Sequence, residues 1–310
     1  MSKIGIVTVV TNEKHNLKNF YDSLISQTYK DFTLYFVDNN SNDGSQEFFR
    51  ELNNQNLLTV KYLTLDYNSG FAAGSNIGAK EAIKDGCKYL FILNNDVVID
   101  SKCLEELRNC IESQNDIAAS GLFLYRHQVN YPGIIQEFGG RMDFKNGRTL
   151  KNFENVSYDK VKLPDVMETD FIGGGVLFIK SDIFDKVGMF EECYFGYFDE
   201  IDLSYRLKVK NNYRMLVTSK AIAYHNHYSA SRKKTSFYFE YYLSARNKYV
   251  YFYRYGMHFS IFKNILIDWI KLPWRWLWFI KVCDFKLGLY YIKGLFAGLL
   301  NHRGKPNFVK

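Results

Sequence analysis

At 310 residues, 47% hydrophobic and 24% charged, the chain can bury a sizeable core and is too apolar for a disordered one. Its five cysteines are odd in number and lack CxxC or zinc-ligand spacing; this excludes a disulfide scaffold and reads as reduced thiols of a cytoplasmic protein. The net charge of +7 hides an asymmetry: from Ser231 onward 15 Lys and Arg face only Glu240, Asp268 and Asp284, a net of +12, so the first 230 residues carry −5.

The N-terminal run IGIVTVV (Ile4–Val10) is too short for a signal-peptide core and reads as a first buried strand. Leu17, Phe20 and Leu24 predict a helix over 16–26. A strand at Phe32–Val37, a helix at Gln46–Leu52, a strand at Leu57–Leu63, a helix through Ala79–Ile83, a strand at Tyr89–Leu93 and a helix at Lys102–Ile111 follow. Strands alternating with helices imply βαβ units and a parallel sheet, with the strand ends on one edge. Between 125 and 165 the pattern blurs into loops with weak strands, placed over that edge. A strand at Thr169–Ile179, a helix at Glu200–Val209 and strands at Tyr213–Val217 and Ala221–Tyr224 come next. A long helix spans Phe237–Tyr255, and further helical segments break at Pro273. No apolar run approaches the ~20 residues of a membrane span.

Four strand ends carry polar clusters: TNEKHN, VDNNSNDGS, YNSGFAAGSNIG and, after LFIL, the Asn94-Asn95-Asp96 tripeptide. A turn explains each singly. Four on one edge form a crevice suited to a nucleotide and a cation. Thr11 to Asn16 stand where a dinucleotide fold needs G-x-G-x-x-G, and no Walker sequence occurs, which disfavours hydride transfer and P-loop phosphotransfer. Asp199-Glu200-Ile201-Asp202 opens a helix, where acids favour the dipole. Aromatics crowd them (Tyr194, Phe195, Tyr197, Phe198), a setting that raises a carboxylate toward a general base. His225 and His227 end a later strand.

Together VDNNSNDGS, NSGFAAGSNIGAKEA, LFILNNDVVID, GGGVLFIKSDIFDKVGMF and YFGYFDEIDLSYRL resemble, in order and spacing, the inverting family-two glycosyltransferases. The match runs from Lys3 to Arg254, and within the family the chain most resembles bacterial rhamnosyltransferase-like enzymes of surface polysaccharide assembly. The resemblance implies an α/β GT-A fold, Rossmann-like with a mixed, mostly parallel sheet flanked by helices. It implies a dTDP- or UDP-sugar donor, a divalent cation (Mn2+ or Mg2+) and a hydroxyl acceptor, such as a polyprenyl-diphosphate-linked glycan. It places Thr11, Asp38 and Asn76 at the nucleotide. Asp96 matches the last acid of the D-x-D metal motif, whose first acid is here Asn94. His225, with His227 as the alternative, matches the histidine that completes the metal or diphosphate site. Glu200 matches the catalytic base, with Asp199 behind it, because the pair stands reversed from the usual Glu-Asp.

Residues 1–235 are therefore expected as the catalytic domain and 236–310 as a helical, basic and aromatic-rich membrane-associating appendage. All four tryptophans lie in this tail. Ser260, Lys263, Asn264, Asp268 and Lys271 form one polar stripe on a wide apolar helix, which either packs on the domain or settles on lipid. The expectation is a peripheral protein on the inner face of the cell membrane, with no nucleic-acid partner. An inactive sugar-nucleotide-binding protein of the same fold is the alternative. A nucleic-acid-binding module, argued from the tail alone, ranks behind it.

Overall fold

The computed structural model describes residues 3–114, 118–125, 133–173, 175–225, 234–281 and 284–309. The first half alternates as its periodicity predicts: β1 (Ile4–Val10), α1 (Leu17–Ile25), β2 (Phe32–Asn39), α2 (Ser45–Leu52), β3 (Val60–Leu65), α3 (Gly70–Lys84) and β4 (Tyr89–Leu93). A turn leads to β5 (Val97–Ile99), α4 (Cys103–Gln114) and β6 (Ala118–Tyr125). The blurred region holds β7 (Ile135–Glu137), a hairpin of β8 (Gly140–Asp143) and β9 (Arg148–Lys151), and β10 (Val166–Glu168). Then come β11 (Val176–Lys180), α5 (Ser181–Lys186), α6 (Asp199–Tyr205), β12 (Met215–His225), α7 (Lys234–Arg254), α8 (His258–Lys281) and α9 (Phe285–Leu299).

One sheet runs in the order β10-β12-β6-β11-β4-β1-β2-β3, with β5 on β12 and β7 on β6. The β4-β1-β2-β3 block and the β12/β6 pair are parallel; β11 is antiparallel to both its neighbours. Side chains alternate across the strands. Ile4, Ile6 and Val10 of β1 meet Phe20 and Leu24 of α1 and Leu104 and Leu107 of α4, while Val7 faces Ala79 and Ala82 of α3 on the other side.

Several predicted boundaries move for identifiable reasons. The strand expected at Thr169–Ile179 starts only at Val176. The Thr169 hydroxyl bonds the Gly140 and Phe171 backbones, so the side chain competes with ladder formation there. The two strands predicted over 213–224 are one, β12, with a register irregularity between Val217 and Ile222. Pro273 does not break its helix: α8 runs through it to Lys281. Buried Asn264 and Asp268 before the proline, and buried Phe279 after it, hold the helix on both sides of the missing N–H. Cys87, Cys103, Cys110 and Cys193 are free thiols.

The C-terminal helices are built into the body. α7 buries Leu243, Arg246, Asn247, Val250, Tyr251 and Phe252, some in a cluster with Ile201 of α6. α9 lies against α7 so closely that a Cβ on Gly294 would stand 2.3 Å from the Tyr242 carbonyl oxygen. α8 is inverted relative to a water-facing amphipathic helix. From its polar stripe Ser260, Asn264 and Asp268 are buried, with Asp268 held by Lys248 Nζ (2.5 Å) and the Tyr249 hydroxyl (2.6 Å). Phe259, Phe262, Ile270 and Trp274 point outward, 78%, 62%, 70% and 73% exposed. Among the described residues no helix is long and apolar enough to cross a membrane.

Candidate active site

The parallel register sets Val10 beside Asp38 at the carboxyl ends of β1 and β2. Asp38 is buried, and its Oδ1 accepts the Ser41 N–H at 3.0 Å. The Ser41 hydroxyl donates to the Val10 carbonyl and accepts the Asn12 N–H (3.1 Å), while Asn12 Oδ1 accepts the Asn42 N–H (2.8 Å). Asn12 adopts a left-handed backbone, φ 57°, which asparagine tolerates. These bonds lock the β1 and β2 loops together, with half-buried Thr11 at their mouth.

Asn39, next to Asp38, extends the lock: its Oδ1 accepts both the backbone N–H and the hydroxyl of Ser69, each at 2.8 Å. The glycine-rich stretch that follows is α3 itself. Gly74 and Gly78 let the helix lie flush on β1, since a Cβ on Gly78 would stand 2.4 Å from Val7 Cγ1. Packing, not a phosphate cradle, explains them. Asn76 on this helix is engaged elsewhere than Thr11 and Asp38. It is buried, its Nδ2 donates to the Phe190 carbonyl and to Glu192 Oε1, and its Oδ1 accepts the Phe190 N–H. It pins the 190–192 segment.

The Asn94-Asn95-Asp96 tripeptide forms a turn that carries Asp96 to His225. The Val97 N–H donates to the Asn94 carbonyl (3.2 Å), closing the turn. Asn95 Nδ2 donates to the Val9 carbonyl (3.0 Å), fixing the end of β4 to the end of β1. The turn sends β5 out to pair with β12, where Val97 lies opposite His225. This brings His225 Nε2 to 3.2 Å from Asp96 Oδ2. His225 Nδ1 lies 2.9 Å from Gln136 Oε1. With Gln136 so oriented, Nδ1 carries the proton and the Nε2 lone pair faces a carboxylate oxygen. Two acceptors that close need a shared positive charge, either a proton or a cation. One carboxylate and one imidazole held by an outer partner suit Mn2+ or Mg2+ if a diphosphate and water complete the shell. Among the described residues no group of three or more His, Cys, Asp or Glu could hold a metal. His227 lies outside the described residues.

The acids of α6 separate into three environments. Asp202 is fully buried and structural: Arg206 Nε (2.6 Å), Arg254 Nε (3.2 Å) and the Tyr194 and Tyr255 hydroxyls (3.0 and 2.7 Å) surround it. Asp199 is buried with no hydrogen-bond donor for either oxygen among the described residues. Burial first, and then the charge of Glu200, push its pKa well above the ordinary value of 3.8. Glu200 is partly exposed. Burial of its carboxyl and the charge of Glu137 raise it, while its backbone N–H and the Lys151 cation pull it down. Burial thus raises both carboxyls of the pair above their ordinary values, a setting that suits one of them to accept a proton.

Glu137, Lys151 and Gln136 escaped sequence reasoning because they sit in the region without periodicity. Glu137 Oε1 accepts the Gly173 N–H (3.1 Å) and Oε2 pairs with Lys151 (3.3 Å). Successive residues of β7 thus serve two ends of the crevice, Gln136 orienting His225 and Glu137 acting on Glu200. The segment before α6 is strained: Phe195, Tyr197 and Phe198 have φ of 67°, 61° and 75°. Each such bulky left-handed residue costs about 1–3 kcal/mol, a cost that persists where surrounding structure fixes it.

Comparison with known proteins agrees with this architecture. The model of glycosyl transferase family 2 matches residues 5–173. The chain is 22% identical over 215 residues to the low-salt glycan biosynthesis hexosyltransferase Agl10 of Haloferax volcanii, covering 68% of this chain and 63% of that one. It is 23% identical over 251 residues to the N-acetylglucosaminyl-diphospho-decaprenol L-rhamnosyltransferase of Mycobacterium tuberculosis, covering 75% and 79%. A crystal structure of GalNAc-T7 with UDP, GalNAc and Mn2+ superposes with a TM-score of 0.58 at 16% identity, over 73% of this chain and 44% of that one. The fold is shared; the chain spans less than two thirds of the length of two of these three proteins.

Proposed function

The chain belongs to glycosyl transferase family 2, and from that premise we propose that it moves a sugar, with inversion, from a nucleoside-diphosphate donor to a hydroxyl of a lipid-linked glycan. The observation that carries this reading is Asp96 facing His225 at the strand edge that also bears Asp38. Thr11 and Asp38 hold the nucleoside; Asp96 and His225 hold the cation against the diphosphate. When bound, the cation neutralises the charge that grows on the leaving diphosphate. Glu200 accepts the proton of the attacking hydroxyl. One base and one displacement invert the anomeric carbon, with no carboxylate nucleophile. Asn76 contributes by holding the 190–192 segment that leads to the base.

Two observations support a lipid-linked acceptor and a seat on the membrane surface. The mycobacterial relative is named for a diphospho-decaprenol acceptor. The inverted α8 presents Phe259, Phe262, Ile270 and Trp274 outward beside exposed Lys263 and Lys271, the mixture that settles at an anionic lipid interface. The sugar follows the rhamnosyltransferase resemblance, and the donor is a dTDP- or UDP-sugar.

A donor screen decides the reading. UDP-, dTDP- and GDP-sugars are incubated with Mn2+ or Mg2+, and donor hydrolysis and transfer to diphospho-polyprenyl saccharides are measured. One donor is expected to turn over only with a cation. Nucleotide binding without hydrolysis or transfer of any donor makes the chain a sugar-nucleotide-binding protein.

A further inference from the structure

The acid pair follows directly on a backbone that resists its own conformation. Phe195, Tyr197 and Phe198 are all left-handed, and only Gly196 among these four is a residue suited to such freedom. What fixes them comes largely from α7, 50 residues downstream. Asn247 Nδ2 points at three carbonyls of the segment, Tyr194 (3.1 Å), Gly196 (2.8 Å) and Tyr197 (2.8 Å). Arg246 Nη2 donates to the same Tyr194 carbonyl (2.8 Å), its Nε to Asn247 Oδ1 (2.8 Å), and its Nη1 to the Gly304 carbonyl (2.7 Å). The Phe195 carbonyl accepts the Phe71 N–H from α3 (2.9 Å). Every carbonyl from 194 to 197 is therefore held from outside the segment.

Both side chains are fully buried, and among the described residues Arg246 pairs with no carboxylate. A buried guanidinium without a counter-ion is an expensive way to stabilise a fold. Its placement is accounted for by what it orders: a chain segment that delivers Asp199 and Glu200 into the crevice. Proton abstraction depends steeply on that delivery, because displacing a catalytic group by about 1 Å costs on the order of a hundredfold in rate.

We infer that Arg246 and Asn247 are positioning residues for Glu200: they clamp the 194–197 carbonyls and so fix where the base stands. The inference rests on the assignment of Glu200 as base. Around that carboxyl stand Asp199 on its own helix, Glu137 on β7 and Lys151 on β9; the clamp keeps Glu200 among them.

Full-length Asn247→Ala and Arg246→Lys are compared with wild type and Glu200→Gln. Arg246→Lys keeps the charge but cannot reach Tyr194 and Gly304 together. Thermal unfolding, calorimetric binding of UDP with Mn2+, kcat and KM for transfer, and the Glu200 titration in 13C-glutamate spectra are measured. The expected result is folded variants with UDP affinity within about twofold, kcat lowered on the order of a hundredfold, and a Glu200 titration moved down toward the ordinary 4.5. Folded variants with wild-type kcat and titration, while Glu200→Gln loses transfer, overturn the inference. If Glu200→Gln transfers normally, the base was assigned wrongly and the inference falls with it; the titration then shows whether the clamp still orders Glu200. If both clamp variants are unfolded at assay temperature, the pair is a folding clamp and the positioning role is rejected.

Discussion

His225 Nε2 stands 3.2 Å from Asp96 Oδ2 although 129 residues separate them in the chain. The contact depends on the Asn94–Val97 turn, which redirects β5 from β1's neighbour to the edge of β12. Asp96→Asn keeps the shape and removes the charge. It is expected to abolish the dependence of UDP binding on Mn2+, as read by calorimetry with and without the ion. Gln136→Ala frees the imidazole that Gln136 orients and should weaken cation-dependent binding about 10- to 100-fold. Undiminished Mn2+-dependent affinity in both variants removes the cation from this pair.

Glu200→Gln is expected to bind donor as wild type and to lose transfer by about a hundredfold or more. Because burial raises the Glu200 pKa, the acid limb of kcat/KM should lie above the ordinary glutamate value of 4.5. Activity then falls as pH drops through that raised value. A normal rate in Glu200→Gln with a dead Asp199→Asn would exchange their roles.

Asp199 gives a stability prediction with the sign fixed by its surroundings. Its folded-state pKa is raised, so the stabilisation it offers is complete below the unfolded value near 3.8 and is lost as pH rises through the folded value. Asparagine mimics the protonated form at every pH. Melting temperatures of Asp199→Asn and wild type should converge as pH falls toward 4, with the variant the more stable at pH 8. Equal melting at pH 8 means Asp199 has found a proton donor.

Removal of Asp268 leaves the half-buried Lys248 without its partner, where burial already lowers its pKa. Asp268→Ala is expected to cost about 3–5 kcal/mol by urea unfolding. The paired Lys248→Met/Asp268→Leu variant should recover much of that, since it leaves no orphaned charge. A loss under 1 kcal/mol in the single variant would mean the pair does not anchor α8.

On vesicles, wild type should sediment with anionic lipid, less so with rising salt, and substitution of Trp274 and Phe259 by Ala should weaken binding several-fold. Equal and negligible binding to neutral and anionic vesicles would assign the outward face of α8 to another occupant.

The βαβ order, the strand-end clusters and the pairing of Asp96 with His225 were legible because each rests on local pattern or on a motif. The region between 125 and 165 was not. β7 is three residues long, too short for a period to declare itself, yet its Gln136 and Glu137 reach both ends of the crevice. The face that α8 turns inward was likewise hidden. Apolar spacing locates a stripe but does not say which side meets protein; buried Asp268, bound to Lys248 and Tyr249, decides it. Nor does spacing tell glycines that cradle a phosphate from Gly78, which only lets a helix touch Val7.

The strand order has a consequence for how the molecule comes into being. β11 lies between β4 and β6, so β6 cannot join β4 directly, and the sheet has no continuous path until residue 180 has been made. His225 closes onto Asp96 only once β12 has been laid down, and the clamp on the acid pair waits for α7. A nascent chain therefore carries β4 as an open edge while synthesis proceeds through the next 80 residues, a period in which unpaired backbone invites association with other chains. Residues 5–173, which the family model matches, make the contacts between the β1 and β2 loops early but contain neither His225 nor Glu200. The Asp96–His225 pair and the α6 acids are completed late in synthesis, after the part of the chain by which the family is recognised.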